Sequence, residues 1–490
     1  MQSVASALAR LGDLAASPTV SRLATAFAAA GHELALVGGP VRDSFLNRPV
    51  HDLDFTTDAS PDRILQIVKP LADAHWDIGR AFGTIGALVG GETVEITTYR
   101  ADSYDGSTRK PDVVFGTSLE EDLMRRDFTV NALALRLPEV ALVDPSGGID
   151  DLLHGVLRTP STPEVSFGDD PLRMLRGARF TSQLGFTLEA GATSAMESMR
   201  ESIGIVSAER IGDEIGKLMR SDNPRAGIEV LMESRLAEIV LPEIPALRLE
   251  IDEHHHHKDV YQHTLTVLEQ AIGYEKSRGN LGGPAHEPDL IVRLAALLHD
   301  IGKPATRKLE PGGVVSFYHH DVVGAKLAKK RLRALRYDNE TINAVSKLIE
   351  LHLRFFGYTE GAWTDSAVRR YVRDAGDQLE RLHILTRADV TTRNRRKADR
   401  LGFAYDDLEH RIAALAEKEE MEAVRPDLDG EQIMVILGVG PGREVGEAYR
   451  FLLEQRLDDG PLGVTEATRR LQSWWSERSS LAGSGDSSTG

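Results

Sequence analysis

The chain has 490 residues and no cysteine, which excludes disulfides, thiol catalysis and cysteine-ligated zinc and suits a cytoplasmic setting. Its 41% hydrophobic and 27% charged content is ordinary for a globular protein of roughly three domains, and no apolar run approaches the length of a membrane span. A formal net charge of −17 disfavours indiscriminate binding to nucleic acid, so such a partner would have to be met by local basic patches.

The N-terminus has no basic start before an apolar core, so it does not read as a signal peptide. Residues 1–33 read as two amphipathic helical segments broken at Ser17-Pro18, with Leu8, Leu11, Leu14, Leu23 and Phe27 near helical spacing. Leu34-Ala35-Leu36-Val37 fits a buried strand. Gly38-Gly39 end it, and Pro40 suits the first turn of a helix running to about Leu46. Such a helix aims its free amide N–H groups at the glycine turn, which makes a phosphate site. After a turn at Asn47-Arg48-Pro49, a second strand carries Asp52-Leu53-Asp54, and alternation places Asp52 and Asp54 on one face. Two such carboxylates repel unless a cation separates them, and hard oxygen ligands favour Mg²⁺. A solvated strand face is the ordinary alternative. The glycine turn beside it makes nucleotidyl transfer the sharper reading.

Further on, Ser60-Pro61 starts a helix through Val68, Gly79 to Ile85 turns into a strand, and Thr93 to Thr97 forms another that carries Glu95. Ala101 to Gly116 is polar and rich in turn formers, so it reads as a long, lid-like loop. Ser118 caps a helix with acids in its first turn. Next come Arg125-Arg126-Asp127, where adjacent arginines can neutralise phosphate and Asp127 can accept from a ribose hydroxyl. Asp144 to Leu152 reads as a turn closing this region. Pro171 suits a helix start with Asp169 and Asp170 at its positive end, and Arg173, Arg176 and Arg179 follow Asp170 at intervals of three. Ser207 to Met219 is helical, with Ile211, Ile215 and Leu218 on one side.

The stretches LVGGPVRD, DLDFTT, RRDFTVNA and DDPLR, in this order, resemble the class II nucleotidyltransferases, the bacterial CCA-adding enzymes and poly(A) polymerases. The resemblance runs from about Leu34 to Leu241. It implies an α+β fold, with a polymerase-β-like head and mixed sheet followed by an all-helical neck, an HD domain and a helical C-terminal region. The corresponding boundaries are 1–33, 34–158, 159–250, 251–400 and 401–478, with a Ser/Gly-rich, disordered tail over 479–490. It further implies transfer of CMP and AMP from CTP and ATP to the 3′ end of tRNA, releasing pyrophosphate. Asp52 and Asp54 would then hold two Mg²⁺ roughly 3.5–4 Å apart. Gly38, Gly39, Arg42 and Arg126 would bind phosphates and Asp127 the ribose. Asp170 and Arg173, with Arg176 and Arg179 along the same stripe, would form the template that reads the base. Glu95 is a candidate third carboxylate of such folds, a strand-face glutamate being the alternative. Poly(A) synthesis is the nearest rival, but Gly79-Arg80-Ala81-Phe82-Gly83-Thr84 resembles the CCA-adding form. The loop with Asp105 and Arg109 resembles one found in enzymes that complete CCA. A regulatory uridylyltransferase is a more distant alternative.

Beyond the neck, His263, His299-Asp300 within LLHDIGK, His319-His320, His352 and Asp389 form an ordered series that resembles the HD phosphohydrolases. That resemblance implies a divalent-metal site of His263, His299, Asp300 and Asp389, suited to a transition metal, with the part of His319, His320 and His352 left open. His254 to His257 would be a loop, and Gly273 to Asp289 a glycine- and charge-rich linker between helices. Two basic windows, Lys326 to Arg336 and Arg381 to Arg400, are either solvated helix faces or RNA contacts, with Arg393, Arg395, Arg396 and Lys397 the strongest candidates for the latter.

Overall fold

The computed structural model describes residues 4–50, 52–77, 79–100, 116, 118–248, 259–279, 287–311, 315–355, 357–358, 363–391, 395–419 and 425–483. The chain divides into two compact units, residues 1–248 with 331–337, and residues 249–330 with 338–490.

The first unit opens with α1 (Val4–Ala15) and α2 (Pro18–Ala29), broken at the expected proline because its ring removes an N–H that a continuous helix needs. A seven-stranded mixed sheet follows, in the order β3-β4-β5-β2-β1-β6-β7. Its strands are β1 (Leu34–Val37), β2 (Leu53–Thr57), β3 (Ala74–Trp76), β4 (Thr84–Val89), β5 (Glu92–Thr98), β6 (Ala134–Leu137) and β7 (Ala141–Val143). All four residues of β1 are buried, so its apolar run does not alternate. The central strand β2 pairs antiparallel with β1 and parallel with β5. Helix α3 (Gly39–Leu46) leaves β1 through Gly38, whose φ of 73° only glycine adopts cheaply. Helices α4 (Pro61–Val68) and α5 (Leu119–Met124) flank the sheet sequence, and Ser118 Oγ caps α5 by accepting from Glu121 N as expected. The lid-like stretch 101–115 lies outside the described residues.

The head ends with α6 (Gly148–His154), and the neck comprises α7 (Pro163–Asp169), α8 (Leu172–Leu184), α9 (Ala190–Met199), α10 (Ala208–Met219), α11 (Pro224–Glu233) and α12 (Ala237–Val240). Asp144 does close the preceding turn, accepting from the N–H groups of Gly148 and Ile149. One expectation changes here: Asp169 ends α7, so only Asp170 stands at the N-terminus of α8. Helices α8 and α11 approach closely at Gly227, where an added Cβ would meet Ser182 Oγ at 2.3 Å and the Ala178 carbonyl oxygen at 2.6 Å.

The second unit contains α13 (Val260–Gly279), α14 (Leu290–Leu298), α15 (Lys303–Thr306), α16 (His320–Ala334), α17 (Asn339–Leu351), α18 (Asp365–Ala375), α19 (Leu379–Ala388) and α20 (Arg395–Glu419), the end of α16 being counted with the first unit. The linker expected from Gly273 begins later, because α13 continues to Gly279. Tertiary anchoring explains this: Glu275 accepts from Arg293 Nε at 2.9 Å and from Asp289 N at 2.7 Å. The last helix, Gly463–Gly483, likewise runs past the expected start of the tail at Ser479. Residues 254–257 lie outside the described residues. No helix among the described residues is long and apolar enough to cross a membrane.

Candidate active site and metal centre

The carboxylates of the head meet on adjacent strands. Asp52 directly precedes β2, Asp54 lies within it, and Asp54 stands opposite Glu95 in the parallel β2–β5 register. Leu53 and Phe55, on either side of Asp54, are buried, so the acids share the face turned away from those two side chains. Burial first, then the Glu95 carboxylate, pushes Asp54 up to about 6, with Asp52 adding to the crowding and Arg126 and Arg42 opposing it.

Both arginines lie at the glycine turn. Arg126 Nη1 stands 3.3 Å from where a Cβ on Gly38 would be, and Arg42 Nη2 stands 3.9 Å from a Cβ on Gly39. Arg42 is fixed by Asp43, which accepts from Nε and Nη2 at 2.9 Å each, and by Asn131, which accepts from Nη1 at 2.7 Å. Asp122 anchors the tandem arginines. It is 1% exposed and accepts from Arg125 Nη2 at 3.1 Å, Arg126 Nη2 at 3.3 Å and Thr56 Oγ1 at 3.2 Å. Burial opposes its ionisation, yet Arg126 and Arg125 hold it below the usual carboxylate range. Asp122 is therefore a buried strut, and not merely a first-turn acid facing the helix dipole. Arg126 Nε is buried with no hydrogen-bond partner among the described residues.

Asp127 is engaged by donors of the protein on both oxygens. One oxygen accepts from Phe128 N at 2.8 Å and Asn131 Nδ2 at 3.0 Å, and the other from Arg176 through Nε at 2.7 Å and Nη2 at 2.6 Å. Four donors fill the four acceptor positions of a carboxylate. Although burial works against it, Arg176 and Asn131 hold Asp127 far below the usual range.

Asp170 and Arg173 each have other partners. Asp170 accepts from Leu172 N at 3.0 Å and from Arg210 Nη2 at 2.9 Å. Arg173 donates to Ser166 Oγ at 2.9 Å and to the Arg125 carbonyl at 2.5 Å, tying α8 to the RRD segment. Asp169, Asp170, Ser207, Arg210 and Arg336 line a cavity of about 430 Å³. The arginine stripe does not continue into it. Arg179 is 8% exposed, bonded to Glu214 at 2.6 Å and packed over Phe180, while Arg176 serves Asp127. A buried glutamate on α10 thus turns the last two arginines of the stripe into internal supports. Asn131, Asp122 and Glu214 were not singled out from the sequence. Asp122 had a usable signal in its three- and four-residue spacing to the arginines.

The second unit draws six side chains together. His263 comes from α13, His299 and Asp300 follow α14, His320 opens α16, His352 follows α17, and Asp389 follows α19. His263 Nε2 is 3.0 Å from Asp389 Oδ1 and 3.6 Å from Asp300 Oδ2. His299 Nε2 is 3.3 Å from Asp300 Oδ2 and 3.6 Å from Asp389 Oδ1, and His320 Nε2 is 3.4 Å from Asp300 Oδ1. Asp300 and Asp389 sit well below the usual carboxylate range, although burial pushes the other way, because imidazoles face them. Burial lowers His352 to about 4, whereas in His299 burial is outweighed by Asp300, which draws it up to about 10. His319 is exposed, with a φ of 64°, and takes no part in the cluster.

Some members of the basic windows are engaged in ion pairs. Arg381 meets Asp289, Arg387 meets Asp406 and Glu409, and Arg331 meets Glu243. Arg395 and Arg396 are exposed at the start of α20, Lys397 follows in that helix, and Arg393 lies outside the described residues.

Comparison with known proteins agrees with this layout. Residues 34–158 match the family described as the poly(A) polymerase head domain, 185–247 the probable RNA- and SrmB-binding site of polymerase A, and 260–394 the HD domain. The A-adding tRNA nucleotidyltransferase of Deinococcus radiodurans is 34% identical over 452 residues, 90% of this chain and 95% of that protein. The CCA-adding enzyme of Lactobacillus helveticus is 42% identical over 212 residues, 43% of this chain and 52% of its own length. The Bacillus stearothermophilus CCA-adding enzyme solved with CTP superposes with a TM-score of 0.68 at 22% identity, covering 95% of this chain and 100% of that one. The Thermotoga maritima CCA-adding enzyme solved with tRNA gives 0.58 at 18% identity, over 96% and 98%. At these identities the two structures speak for the fold.

Proposed function

Because the chain belongs to the class II family of CCA-adding enzymes and poly(A) polymerases, with an HD domain, we propose that its head adds CMP and AMP from CTP and ATP to the 3′ end of tRNA in the cytoplasm. The observation that carries this reading is the convergence of Arg42 and Arg126 on the Gly38–Gly39 turn, beside the face that holds Asp54 and Glu95. The turn and the two guanidiniums would bind the triphosphate. Asp52 and Asp54, with Glu95 as a third carboxylate, would hold Mg²⁺, and a cation would relieve the like-charge part of the upward push on Asp54, to which burial contributes first. When bound, Mg²⁺ would make the attacking hydroxyl more acidic and neutralise charge on the leaving group. The 3′-oxygen bonds to the α-phosphorus as the bond to pyrophosphate breaks, and the hydroxyl proton passes to solvent. Asp127 supports the site by fixing Asn131 and Arg176. Asp170, facing the cavity, would accept from the exocyclic amine of C or A, with Arg173 donating to the base. The carbonyl of U or G would leave the carboxylate without a donor.

His263, His299, Asp300 and Asp389 would hold a divalent cation suited to phosphoester hydrolysis. Arg395 and Arg396, with Lys397 and Arg393, would meet the RNA backbone. A second reading, addition of the terminal A alone, is favoured by the A-adding relative, which matches 90% of this chain. Single-turnover addition to tRNA lacking CCA tests the head. Asp52→Ala and Asp54→Ala should each abolish addition with the fold retained, and addition by either variant at the parental rate would remove the proposed site.

A further inference from the structure

Resting on the reading of the head as a site that extends RNA, we propose that Trp76 is the platform on which the base of the RNA's 3′-terminal nucleotide stacks. The register of the sheet carries this assignment. Trp76 on the edge strand β3 pairs with Gly86 on β4, Gly86 pairs with Glu95 on β5, and Glu95 pairs with Asp54 on β2. Residues paired directly across strands project from the same face of a sheet. The four therefore form one row that runs from the edge of the sheet to the carboxylates of the head.

Gly86 is what admits the indole to this row. A Cβ on Gly86 would meet Trp76 Nε1 at 2.0 Å, Cε2 at 2.3 Å and Cδ1 at 2.8 Å, so any side chain there would push the ring aside. Gly86 lies inside β4 and is not among the glycines of positive φ, so the position uses the missing side chain and not the conformational freedom. Lying across Gly86, Trp76 still keeps 36% of its surface exposed. A single exposed aromatic is ordinary on a protein surface. This one stands one strand from Glu95 and two from Asp54, with strands about 4.8 Å apart. A 3′-hydroxyl held at the acids would bring its own base within reach of the ring. The chemistry also favours the RNA end over the incoming nucleotide. The incoming base has to be distinguished, which takes hydrogen-bonding groups such as those of Asp170. The RNA end changes at each step, from the base before CCA to C and then to the second C, and has to be accepted whatever its identity. An aromatic face does so, because every base has a π-face.

The test measures nucleotide addition by the full chain and by its Trp76→Leu, Trp76→Phe and Gly86→Ala variants. The substrates are tRNAs ending before CCA in each of the four bases, and tRNAs ending in C and in CC. Leu covers Gly86 without a π-face, Phe keeps a face, and Gly86→Ala moves the ring while leaving Trp76 in place. For each tRNA that the parent extends, Trp76→Leu should raise the KM for tRNA by roughly five- to a hundredfold, the worth of one stacked base. The kcat and the KM for CTP and ATP should stay within about twofold, because stacking holds the ground state and the transition state alike. Trp76→Phe should remain near the parent, and Gly86→Ala should shift the KM for tRNA in the same direction as Trp76→Leu. Binding of a tRNA that lacks CCA should also quench the tryptophan emission of the parent more than that of Trp76→Phe. An unchanged KM for tRNA in Trp76→Leu, a rise confined to one terminal base, a rise in the KM for CTP or ATP instead, or equal quenching of parent and Trp76→Phe refutes the platform while addition by the parent keeps the head reading standing. A parent that extends none of the tRNAs overturns both. The quenching comparison needs only the conservative Phe variant, so a misfolded Leu variant cannot shelter the proposal.

Discussion

Replacing Asp170 by Asn separates base recognition from folding, because the structure assigns its two oxygens different tasks. Oδ1 accepts from Leu172 N at 3.0 Å at the start of α8, and the amide oxygen of Asn can do the same. Oδ2 pairs with Arg210, which is 53% exposed, and an ion pair so open to water is worth about 0–1 kcal/mol. The variant should therefore lose no more than about 1 kcal/mol of stability. Recognition costs more. A hydrogen bond from the amine of C or A to a charged carboxylate is worth about 1.5–3 kcal/mol, or roughly ten- to a hundredfold in kcat/KM. Asn also offers an N–H to the carbonyl of U or G, so discrimination against UTP and GTP should fall at the same time. The assay is single-nucleotide incorporation with each of the four triphosphates, beside a urea titration. An unchanged ratio of CTP to UTP incorporation would place the template elsewhere.

The crowding around Asp54 gives a pH signature. A carboxyl raised to about 6 stabilises the fold below its unfolded value near 3.8 and loses that contribution as pH rises through 6. Without Mg²⁺, Asp54→Asn should melt above the parent at pH 7.5, the gap closing by pH 4, and a gap constant across that range would contradict the raised Asp54 carboxyl. Asp122→Ala strands two guanidiniums. Breaking a buried pair costs about 3–5 kcal/mol, and because Arg125 and Arg126 keep 24% and 26% of their surface, the lower end, about 3 kcal/mol, is expected in urea. A loss below about 1 kcal/mol would show that Asp122 is no strut. Replacing His299 and Asp300 together by Ala should spare nucleotide addition while removing phosphoesterase activity on model esters, and loss of addition in a folded double variant would contradict that division.

What could be read in the sequence was local. Pro18, Gly38 and Ser118 act on neighbouring backbone, and each break or cap falls where the residue type demands. The pairing of Asp54 with Glu95 was not legible as geometry, because it depends on β2 lying parallel to β5, a contact between strands distant in sequence. The arginine stripe after Asp170 shows the same dependence on tertiary packing. A spacing of three promised one shared surface, but Glu214 on α10 and Asp127 in the head claim Arg179 and Arg176, and only the packed neck reveals which carboxylate each one meets. In the HD unit the ordered histidines could be listed, whereas the choice of His320 and His352 over His319 required helix ends to converge from five directions.

The central claim is most directly tested by sequencing the 3′ ends of two transcripts, a tRNA ending before CCA and a tRNA ending in CC, after incubation with the purified chain, Mg²⁺ and each triphosphate alone or CTP and ATP together. The account predicts CCA on the first and a single A on the second, with no extension by the Asp52→Ala or Asp54→Ala protein. Addition of A to the second transcript only would establish the A-adding reading in its place. Long A tails on either RNA, or tailing that persists without Asp52 and Asp54, would contradict the account.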